Sequence, residues 1–383
     1  MRRAYKYRLF TNANQERELE AMLETHRRLY NACLAERKQG YETAKLRVKY
    51  TEQSARFTVD RTVNPYYARI NFSSAQATMR RLDKAFTAFF RRLKTKGEKP
   101  GYPRFRSRDS YDSFEFPMHG DGARLTGNRL RIRYIGTIRV KLHRVPQGTI
   151  KTLTVKREGD HWYVIASCDL GAVSIPQSRN PPVGIDVGIE AFLTTSDGVR
   201  EHNPNYLKKA LPELRRKSRS VSRKKKGGSN RRKAVKRLRK VHAHVRNLRK
   251  EHHHQVALRL VRRHGLIAAE SLNVRGMVRN RRFSRSISDV AWGNFLLTLR
   301  CKAESAGVVF VEVDPCGTSQ ACSDCGRIVQ KTIHQRRHIC DCGCNLHRDH
   351  NAARNVLAAG LARTGPAGAK VGNSQPSPRS HPL

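Results

Sequence analysis

The sequence predicts an α+β fold made of several domains, and three observations lead to this prediction. The chain has 383 residues, more than one ordinary domain holds. Residues 111–170 consist of short β-like runs broken by Gly, Pro and Asn-Arg turns, which is typical of a small antiparallel barrel or sandwich. The second half of the chain alternates buried-type strands with segments whose apolar residues recur at helical spacing.

The first hundred residues predict one strand and two helices. Residues 4–10 alternate apolar and polar side chains, as a half-buried strand does. Apolar residues at helical spacing predict helices over 14–38 and 74–93, and a basic, turn-rich linker covers 96–106. We expect the first strand to join the barrel formed by the later β-like runs, so that the two helices are an insertion.

Positive charge dominates the composition. The chain has 77 Lys and Arg against 31 Asp and Glu, a formal net charge of +46. Because like charges repel and destabilise a compact fold, this excess predicts a polyanionic partner, with nucleic acid as the leading candidate. The excess is densest over residues 205–250, a predicted helical hairpin with 20 Lys and Arg and a single acidic residue, Glu213.

A membrane surface is the rival explanation of the charge. No apolar run approaches the ~20 residues that a membrane-spanning helix needs. The N-terminus, MRRAYKYRLF, lacks an apolar stretch of signal-peptide length. The sequence therefore predicts a cytoplasmic protein without a membrane partner.

Three carboxylates stand at the ends of predicted strands and helices. Asp186 lies in an apolar strand, Glu270 ends another, and Asp349 begins a helix. An ionised carboxylate among apolar residues is costly unless it is paired or binds metal. Each alone could be a cap or a salt-bridge partner, but three that converge could hold two Mg²⁺ ions about 4 Å apart for phosphodiester hydrolysis. Together with the hairpin after Asp186 and the basic surface, they predict a ribonuclease H-like sheet.

Five of the nine cysteines crowd into residues 322–344. Cys322, Cys325, Cys340 and Cys342 form two pairs separated by 14 residues, which suits a tetrahedral, structural Zn²⁺. The second pair is irregular, so Cys344 could replace Cys340 or Cys342. The cluster falls between a strand and the helix of Asp349, which makes it an insertion in the catalytic domain. The other four, Cys33, Cys168, Cys301 and Cys316, are expected in the core.

At these positions the sequence resembles the TnpB family of transposon-encoded proteins and its relatives, the type V CRISPR effectors and Fanzor. The resemblance covers residues 1–358. It includes the N-terminal R-R-A-Y-K-Y-R-L and the later Y-N-A-C-L. Four further stretches match in order: G-I-D-V-G (184–188), E-S-L-N-V-R-G-M (270–277), V-D-P-C-G-T-S-Q-A-C-S-D-C-G (313–326) and C-D-C-G-C-N-L-H-R-D-H-N-A-A-R-N (340–355).

The resemblance implies a RuvC-type nuclease domain with a zinc-binding insertion, and an N-terminal β-barrel called the wedge domain, which a helical recognition domain interrupts. The expected boundaries are 1–10 for the first wedge strand, 11–108 for the recognition domain, 109–178 for the wedge barrel, 179–316 for the nuclease domain with its basic hairpin, 317–345 for the zinc insertion, 346–362 for the last nuclease helix and 363–383 for a disordered tail.

The resemblance also implies a function. Asp186, Glu270 and Asp349 match the catalytic RuvC carboxylates, and Cys322, Cys325, Cys340 and Cys342 match the zinc ligands. The family binds a noncoding guide (omega) RNA from the transposon end, pairs it with double-stranded DNA beside a short motif read by the protein, and cuts the DNA.

For this chain the expectation is a Mg²⁺-dependent, RNA-guided DNA endonuclease of an insertion sequence, monomeric and at the nucleoid of a bacterium or archaeon. Arg80, Arg81 and Arg104 are candidates for reading the motif. The chain departs from the family in two places. One residue separates Cys340 from Cys342 where many relatives have two, and His347 stands where an acidic residue is frequent.

Three other functions compete with this one. An RNA-guided repressor that binds DNA without cutting would be expected to have lost a carboxylate, and a transposase would join DNA ends without RNA. A plain zinc-containing RNA-binding protein would leave the strand-borne carboxylates unexplained.

Overall fold

The computed structural model describes residues 1–95, 100–172, 175–332 and 335–364, apart from the side chain of Arg275. The chain divides into two compact units, Met1–Val173 and Ser174–Leu383. No helix within these ranges is long and apolar enough to cross a membrane. The expected tail over 363–383 lies outside the described residues except for its first two, which end the last helix.

A seven-stranded antiparallel sheet forms the β part of the first unit, in the order β2-β6-β7-β1-β5-β4-β3. Its strands are β1 (Arg2–Phe10), β2 (Ser113–Phe116), β3 (Ala123–Thr126), β4 (Arg129–Ile132), β5 (Gly136–Lys141), β6 (Thr149–Glu158) and β7 (His161–Asp169). The first strand lies in the middle, paired with β5 and β7, which confirms that it belongs to this sheet. One hydrogen-bonded sheet replaces the alternative of a two-sheet sandwich. Closure into a barrel stays a prediction.

Alternation along the strands produces the core of this unit. Tyr5, Tyr7 and Leu9 of β1 are buried while their neighbours are not, as expected when successive side chains point to opposite faces. The buried face of β7 continues the same core with Trp162 and Val164. The strand pattern read from the sequence is therefore the pattern of the sheet.

Among the described residues between β1 and β2 there are four helices, rather than the two predicted. They are α1 (Ala13–Ala44), α2 (Tyr50–Val63), α3 (Pro65–Ala68) and α4 (Phe72–Lys94). The prediction missed α2 because this helix buries only Gln53 and Phe57 and so has no apolar stripe. The ends of α1 and α4 lie within a few residues of the expected ones, except that α1 continues to Ala44.

The second unit contains a five-stranded sheet in the order β10-β9-β8-β11-β12. Its strands are β8 (Pro182–Asp186), β9 (Ala191–Thr195), β10 (Arg200–His202), β11 (Leu266–Glu270) and β12 (Val309–Val313). The strands β8, β11 and β12 run parallel, and β9 and β10 form an antiparallel extension beside β8. A separate two-stranded sheet joins β13 (Arg337–Ile339) to β14 (Asn345–His347).

In the described part of this unit, six helices accompany these strands. They are α5 (Tyr206–Ser222), α6 (Ser229–Arg263), α7 (Val274–Val278), α8 (Ser284–Val290), α9 (Trp292–Ser305) and α10 (Arg348–Thr364). The predicted basic hairpin is confirmed as α5 and α6, and the second half of α6 packs against α9 in the core.

The expectation that four isolated cysteines lie in the core is half right. Cys33 and Cys168 are buried, but Cys301 and Cys316 are exposed. Cys301 lies on the outer face of the amphipathic helix α9, and Cys316 lies in the turn after β12. Neither position packs against the sheet, so residue type alone was a poor guide to burial.

Candidate active site and cysteine cluster

Two of the three predicted carboxylates stand side by side at one edge of the five-stranded sheet. Asp186 ends β8 and Glu270 ends β11, and these neighbouring strands run parallel. Ile185 pairs with Ala269, so the following residue of each strand is its acidic one. The carboxyl ends of parallel strands meet at the same edge, which explains why residues 84 positions apart in the sequence become neighbours.

The helix α10 brings Asp349 to the same place, because glycine allows it to lie directly on the sheet. A Cβ atom at Gly184 would stand 2.1 Å from the carbonyl oxygen of Ala353. Further along α10, a Cβ atom at Gly360 would stand 2.5 Å from the Cβ of Ala268 in β11. Residues two apart in a strand share a face, so α10 covers the face that Asp186 shares with Gly184.

The electrostatics of Asp186 connects it with the other two carboxylates. Burial raises the pKa of Asp186 well above its ordinary value, and the charges of Glu270 and Asp349 raise it further. Burial also raises the pKa of Glu270, whereas a hydrogen bond from Thr318 lowers it. Like charges held together in a poorly solvated place destabilise the ionised state. The arrangement fits a group that supplies positive charge, as divalent cations with carboxylate oxygen ligands do.

His347 lies next to Asp349, at the position where the family frequently has an acidic residue. Its Nδ1 accepts a hydrogen bond from the backbone N–H of Asp349 at 3.2 Å. Burial lowers the pKa of His347, although the carboxylate of Asp349 opposes this. A neutral imidazole that accepts from the backbone therefore holds the first turn of α10 without adding a fourth negative charge.

The cysteine cluster gathers the four sulfurs that the spacing predicted. The Sγ atoms of Cys322, Cys325, Cys340 and Cys342 all lie within 4.8 Å of one another. The two contacts, Cys322 to Cys342 and Cys325 to Cys340, are each 3.6 Å. Zinc–sulfur bonds of about 2.3 Å in a tetrahedron place sulfurs ~3.8 Å apart, whereas a disulfide needs about 2.0 Å. The geometry thus fits a four-coordinate structural metal such as zinc.

The pKa values of two thiols in the cluster are shifted in opposite directions. Burial opposes ionisation of Cys322, but hydrogen bonds from the backbone N–H groups of Cys325 and Asp324 contribute to lowering its pKa to about 5. A backbone hydrogen bond from Cys344 acts to lower the pKa of Cys342, but hydrogen bonds with the neighbouring thiols raise it to about 12. A thiolate, rather than a thiol, binds zinc.

Cys344, left open as an alternative ligand, belongs to a second group with Cys322 and His338. All three are buried, and the sequence reasoning missed His338 altogether. This group offers three ligands against four, and Nδ1 of His338 contacts the Lys331 ammonium group. Because both groups share Cys322, they compete for it, and we favour the four-cysteine set, which completes a tetrahedron.

Most of the basic side chains considered for nucleic-acid binding are exposed, and one of them, Arg81, instead contacts other residues of the protein. Most Lys and Arg side chains of α5 and α6 are exposed, while Leu214, Val221 and Val245 are buried. Among the candidates for reading a DNA motif, Arg80 and Arg104 are exposed. The side chain of Arg81 instead donates to the carbonyl oxygen of Ser113 at 2.8 Å and lies over the ring of Tyr111.

Comparison with known proteins places this architecture in a family. A protein of Streptomyces pristinaespiralis named "Putative RNA-guided DNA endonuclease" is 32% identical over 376 residues, which cover 94% of this chain and 90% of that protein. The chain belongs to the TnpB family. The "Putative RNA-guided DNA endonuclease InsQ" of Escherichia coli strain K12 is 27% identical over 381 residues, and the match covers 94% of this TnpB-family chain and 92% of that protein.

Family descriptions match three parts of the chain. "Probable transposase" matches residues 168–281, "Cas12f1-like, TNB domain" matches 292–356, and "Helix-turn-helix domain" matches 1–45. Over the last range the structure has β1 and one uninterrupted helix, α1, rather than two helices.

A solved structure shares the fold. The chain of the "Cas12f1-sgRNA-target DNA complex" is 13% identical, with a TM-score of 0.58, and the match covers 93% of this chain and 98% of that one. The relation of the family to type V effectors therefore extends to the mixed α/β architecture.

Proposed function

We propose that this chain is an RNA-guided DNA endonuclease of an insertion sequence. It would bind a noncoding guide RNA from the transposon end, recognise a short motif beside the target and hydrolyse DNA. The observation that carries the proposal is the convergence of Asp186, Glu270 and Asp349 at one sheet edge, with burial and mutual repulsion raising the pKa of Asp186. The names of the full-length relatives support the same activity.

The finer architecture is part of this proposal. Three parallel strands, β8, β11 and β12, with β9 and β10 as an antiparallel extension, support a RuvC-type nuclease domain. The antiparallel sheet of the first unit, with α1 to α4 inserted after its first strand, supports a wedge domain interrupted by a recognition domain. The position of the cysteine cluster between β12 and α10 supports a zinc-bearing insertion.

Each part of the chain has a task in this mechanism. Exposed Lys and Arg side chains of α5 and α6 would hold RNA and the RNA–DNA duplex by their phosphates, while base pairing supplies sequence specificity. Asp186, Glu270 and Asp349 would hold two Mg²⁺ ions, which activate the attacking water and stabilise the leaving oxygen when bound. The chain itself keeps the three carboxylates at fixed positions before any substrate arrives, because two lie on strands and one on a helix packed against them.

The test uses protein co-expressed with its native flanking DNA. The purified complex is offered plasmid libraries in which a guide-matched target stands beside random bases, with and without Mg²⁺. We expect cleavage of matched targets with one enriched flanking motif. Asp186→Ala should abolish cleavage and retain RNA binding. Matched binding without cleavage in the unaltered protein would favour the repressor, and RNA-independent joining of DNA ends would favour the transposase.

Salt offers a second check on the RNA partner. Affinity that comes from phosphate contacts falls steeply as salt concentration rises. Binding releases counterions from the nucleic acid, and this release is less favourable when the salt concentration is high. RNA binding that is insensitive to salt would contradict a role for the basic hairpin.

A further inference from the structure

The neutral side chain of Thr318 contacts the carboxylate of Glu270. The hydroxyl of Thr318 donates a hydrogen bond to Oε1 of Glu270 at a distance of 2.5 Å. Oγ1 of Thr318 also lies 3.1 Å from the carbonyl oxygen of Pro315, but a hydroxyl has one proton, and the shorter contact to a carboxylate takes it. Thr318 is only 8% exposed, so water competes poorly for this hydrogen bond.

The turn that carries Thr318 is held by the helix of Asp349. Asn355 of α10 donates from Nδ2 to the carbonyl of Thr318 at 2.8 Å and to that of Ala321 at 2.7 Å. Asn351, one helical turn earlier and fully buried, donates to the same Ala321 carbonyl at 2.7 Å. Thr318 therefore approaches Glu270 from a backbone that α10 holds in place.

The cysteine cluster continues directly from this turn. Asn351 also accepts, through Oδ1, a hydrogen bond of 2.9 Å from the backbone N–H of Ser323, the neighbour of Cys322. The helix α10 thus carries Asp349 and hydrogen-bonds both to the turn next to Glu270 and to the backbone beside the first pair of cysteines. These hydrogen bonds connect the carboxylate site with the cysteine cluster, which the sequence presented as separate motifs.

We propose that Thr318 is a positioning residue for the cation site: its hydroxyl fixes the orientation of the Glu270 carboxylate and leaves the second oxygen of that group to bind a divalent cation. The inference rests on the proposed function of the three carboxylates. Outer partners of metal-binding carboxylates typically change metal affinity by about 10- to 100-fold when they are removed. A merely structural threonine would change the stability of the turn and leave cation affinity alone.

The experiment measures Mn²⁺ binding to the zinc-loaded full-length chain without RNA. Electron paramagnetic resonance reports the concentration of free Mn²⁺, and Asp186→Ala gives the level of binding outside the carboxylate site. Thr318→Val removes the hydroxyl and keeps the shape, and it should weaken Mn²⁺ binding by about 10-fold. Thr318→Ser should rescue binding. Thr298→Val is the matched control, because the Thr298 hydroxyl donates only to a carbonyl of its own helix, that of Asn294 at 2.8 Å.

A double-mutant cycle separates positioning from general destabilisation. In a Glu270→Gln background, Mn²⁺ binding should already be weaker, and Thr318→Val should change the remaining affinity less than 2-fold, because the carboxylate that the hydroxyl orients is gone. An equal loss in both backgrounds would overturn the inference, as would unchanged Mn²⁺ affinity in Thr318→Val. Should Thr318→Val fail to fold, Thr318→Ala, which removes the hydroxyl without the second methyl, is read in the same way.

The cycle also distinguishes this inference from the function on which it rests. Unaltered protein that binds no more Mn²⁺ than Asp186→Ala would contradict the cation site itself. Clear Mn²⁺ binding that ignores the residue at 318 would leave the nuclease proposal intact and overturn only the role of Thr318.

Discussion

The carboxylate site and the cysteine cluster both contact α10 but are built in opposite ways. Asp186 and Glu270 stand on paired strands of a five-stranded sheet, and Asp349 stands on a helix packed against it. The cysteines stand on turns, with one isolated bridge between Ala321 and Ile328 and a sheet of two three-residue strands around them. The carboxylate site has a scaffold of regular secondary structure, whereas the cysteine cluster has little regular structure around it.

The difference teaches where each metal would act. The sheet and the helix packed against it hold the carboxylates together despite their repulsion, so their positions do not require a cation, and a bound cation would relieve a cost that the fold already bears. Two short strands cannot hold the cysteine segment alone, because an isolated pair of strands is at best marginally stable. Zinc would therefore be a folding partner in the cluster, as in other small zinc sites.

The largest effect is expected at Asp186. Asp186→Asn should reduce cleavage by about 10³-fold or more, since losing a metal-binding carboxylate removes several kcal/mol of transition-state stabilisation. In metal-free buffer at neutral pH the same change should raise the midpoint of thermal unfolding. Its folded-state pKa is raised, so the ionised side chain destabilises the fold above its ordinary pKa, and a neutral amide removes that cost.

Glu304→Gln is the control for this prediction, because Glu304 is an exposed acidic residue of α9 in the same unit. Cleavage and thermal midpoint should both stay at the level of the unaltered protein. A thermal midpoint of Asp186→Asn below that of the control would mean that Asp186 stabilises the fold without metal.

The next effect distinguishes the two ligand sets of the cysteine cluster. Cys342→Ser should lower zinc content from one ion per chain to almost none, a loss greater than the roughly 100-fold in affinity that an outer-shell change costs. Cys344→Ser should keep its zinc, because Cys344 lies outside the four-cysteine set. Zinc content by mass spectrometry and the thermal midpoint provide the readouts. The opposite ranking of the two variants would favour the group of Cys322, His338 and Cys344.

A smaller effect tests the scaffold under the carboxylates. Gly184→Ala places a Cβ 2.1 Å from a backbone oxygen of α10, and it should cost about 1–3 kcal/mol in the free energy of unfolding. Cleavage should fall as well, because α10 carries Asp349. Gly293→Ala, where a Cβ meets nothing within 4 Å, should be neutral or slightly stabilising in its helix. Equal effects of the two alanines in denaturant unfolding would contradict this packing.

The smallest effect concerns the connection between the sites. Asn351→Ala leaves the N–H of Ser323 without its partner while the carbonyl of Ala321 keeps Asn355. We expect a loss of about 1–2 kcal/mol in unfolding free energy and faster release of zinc to a chelator. Asn294→Ala on α9 serves as the control, because Asn294 is exposed. Zinc release at the unaltered rate would show that α10 does not hold the cluster.

Much of the fold followed from periodicity, and the failures have physical causes. The strands β1, β8, β9, β11 and β12 and the basic hairpin lie where their apolar patterns predicted them. The helix α2 was missed because a helix with two buried residues leaves almost no pattern. The exposure of Cys301 and Cys316 was missed because burial depends on which face of an element meets a neighbour, and residue type is blind to that.

The sequence by itself determined which residues are candidates for chemistry. Acidic residues at the ends of apolar strands, paired cysteines and the excess of positive charge are properties of composition and order, so they were visible without coordinates. Tertiary structure alone decided how these residues meet. The approach of Asp349 depends on the absence of Cβ atoms at Gly184 and Gly360, and the contact of Thr318 with Glu270 depends on a turn held by Asn355. Such contacts join residues from distant parts of the chain, and their distances follow from packing, which no local pattern encodes.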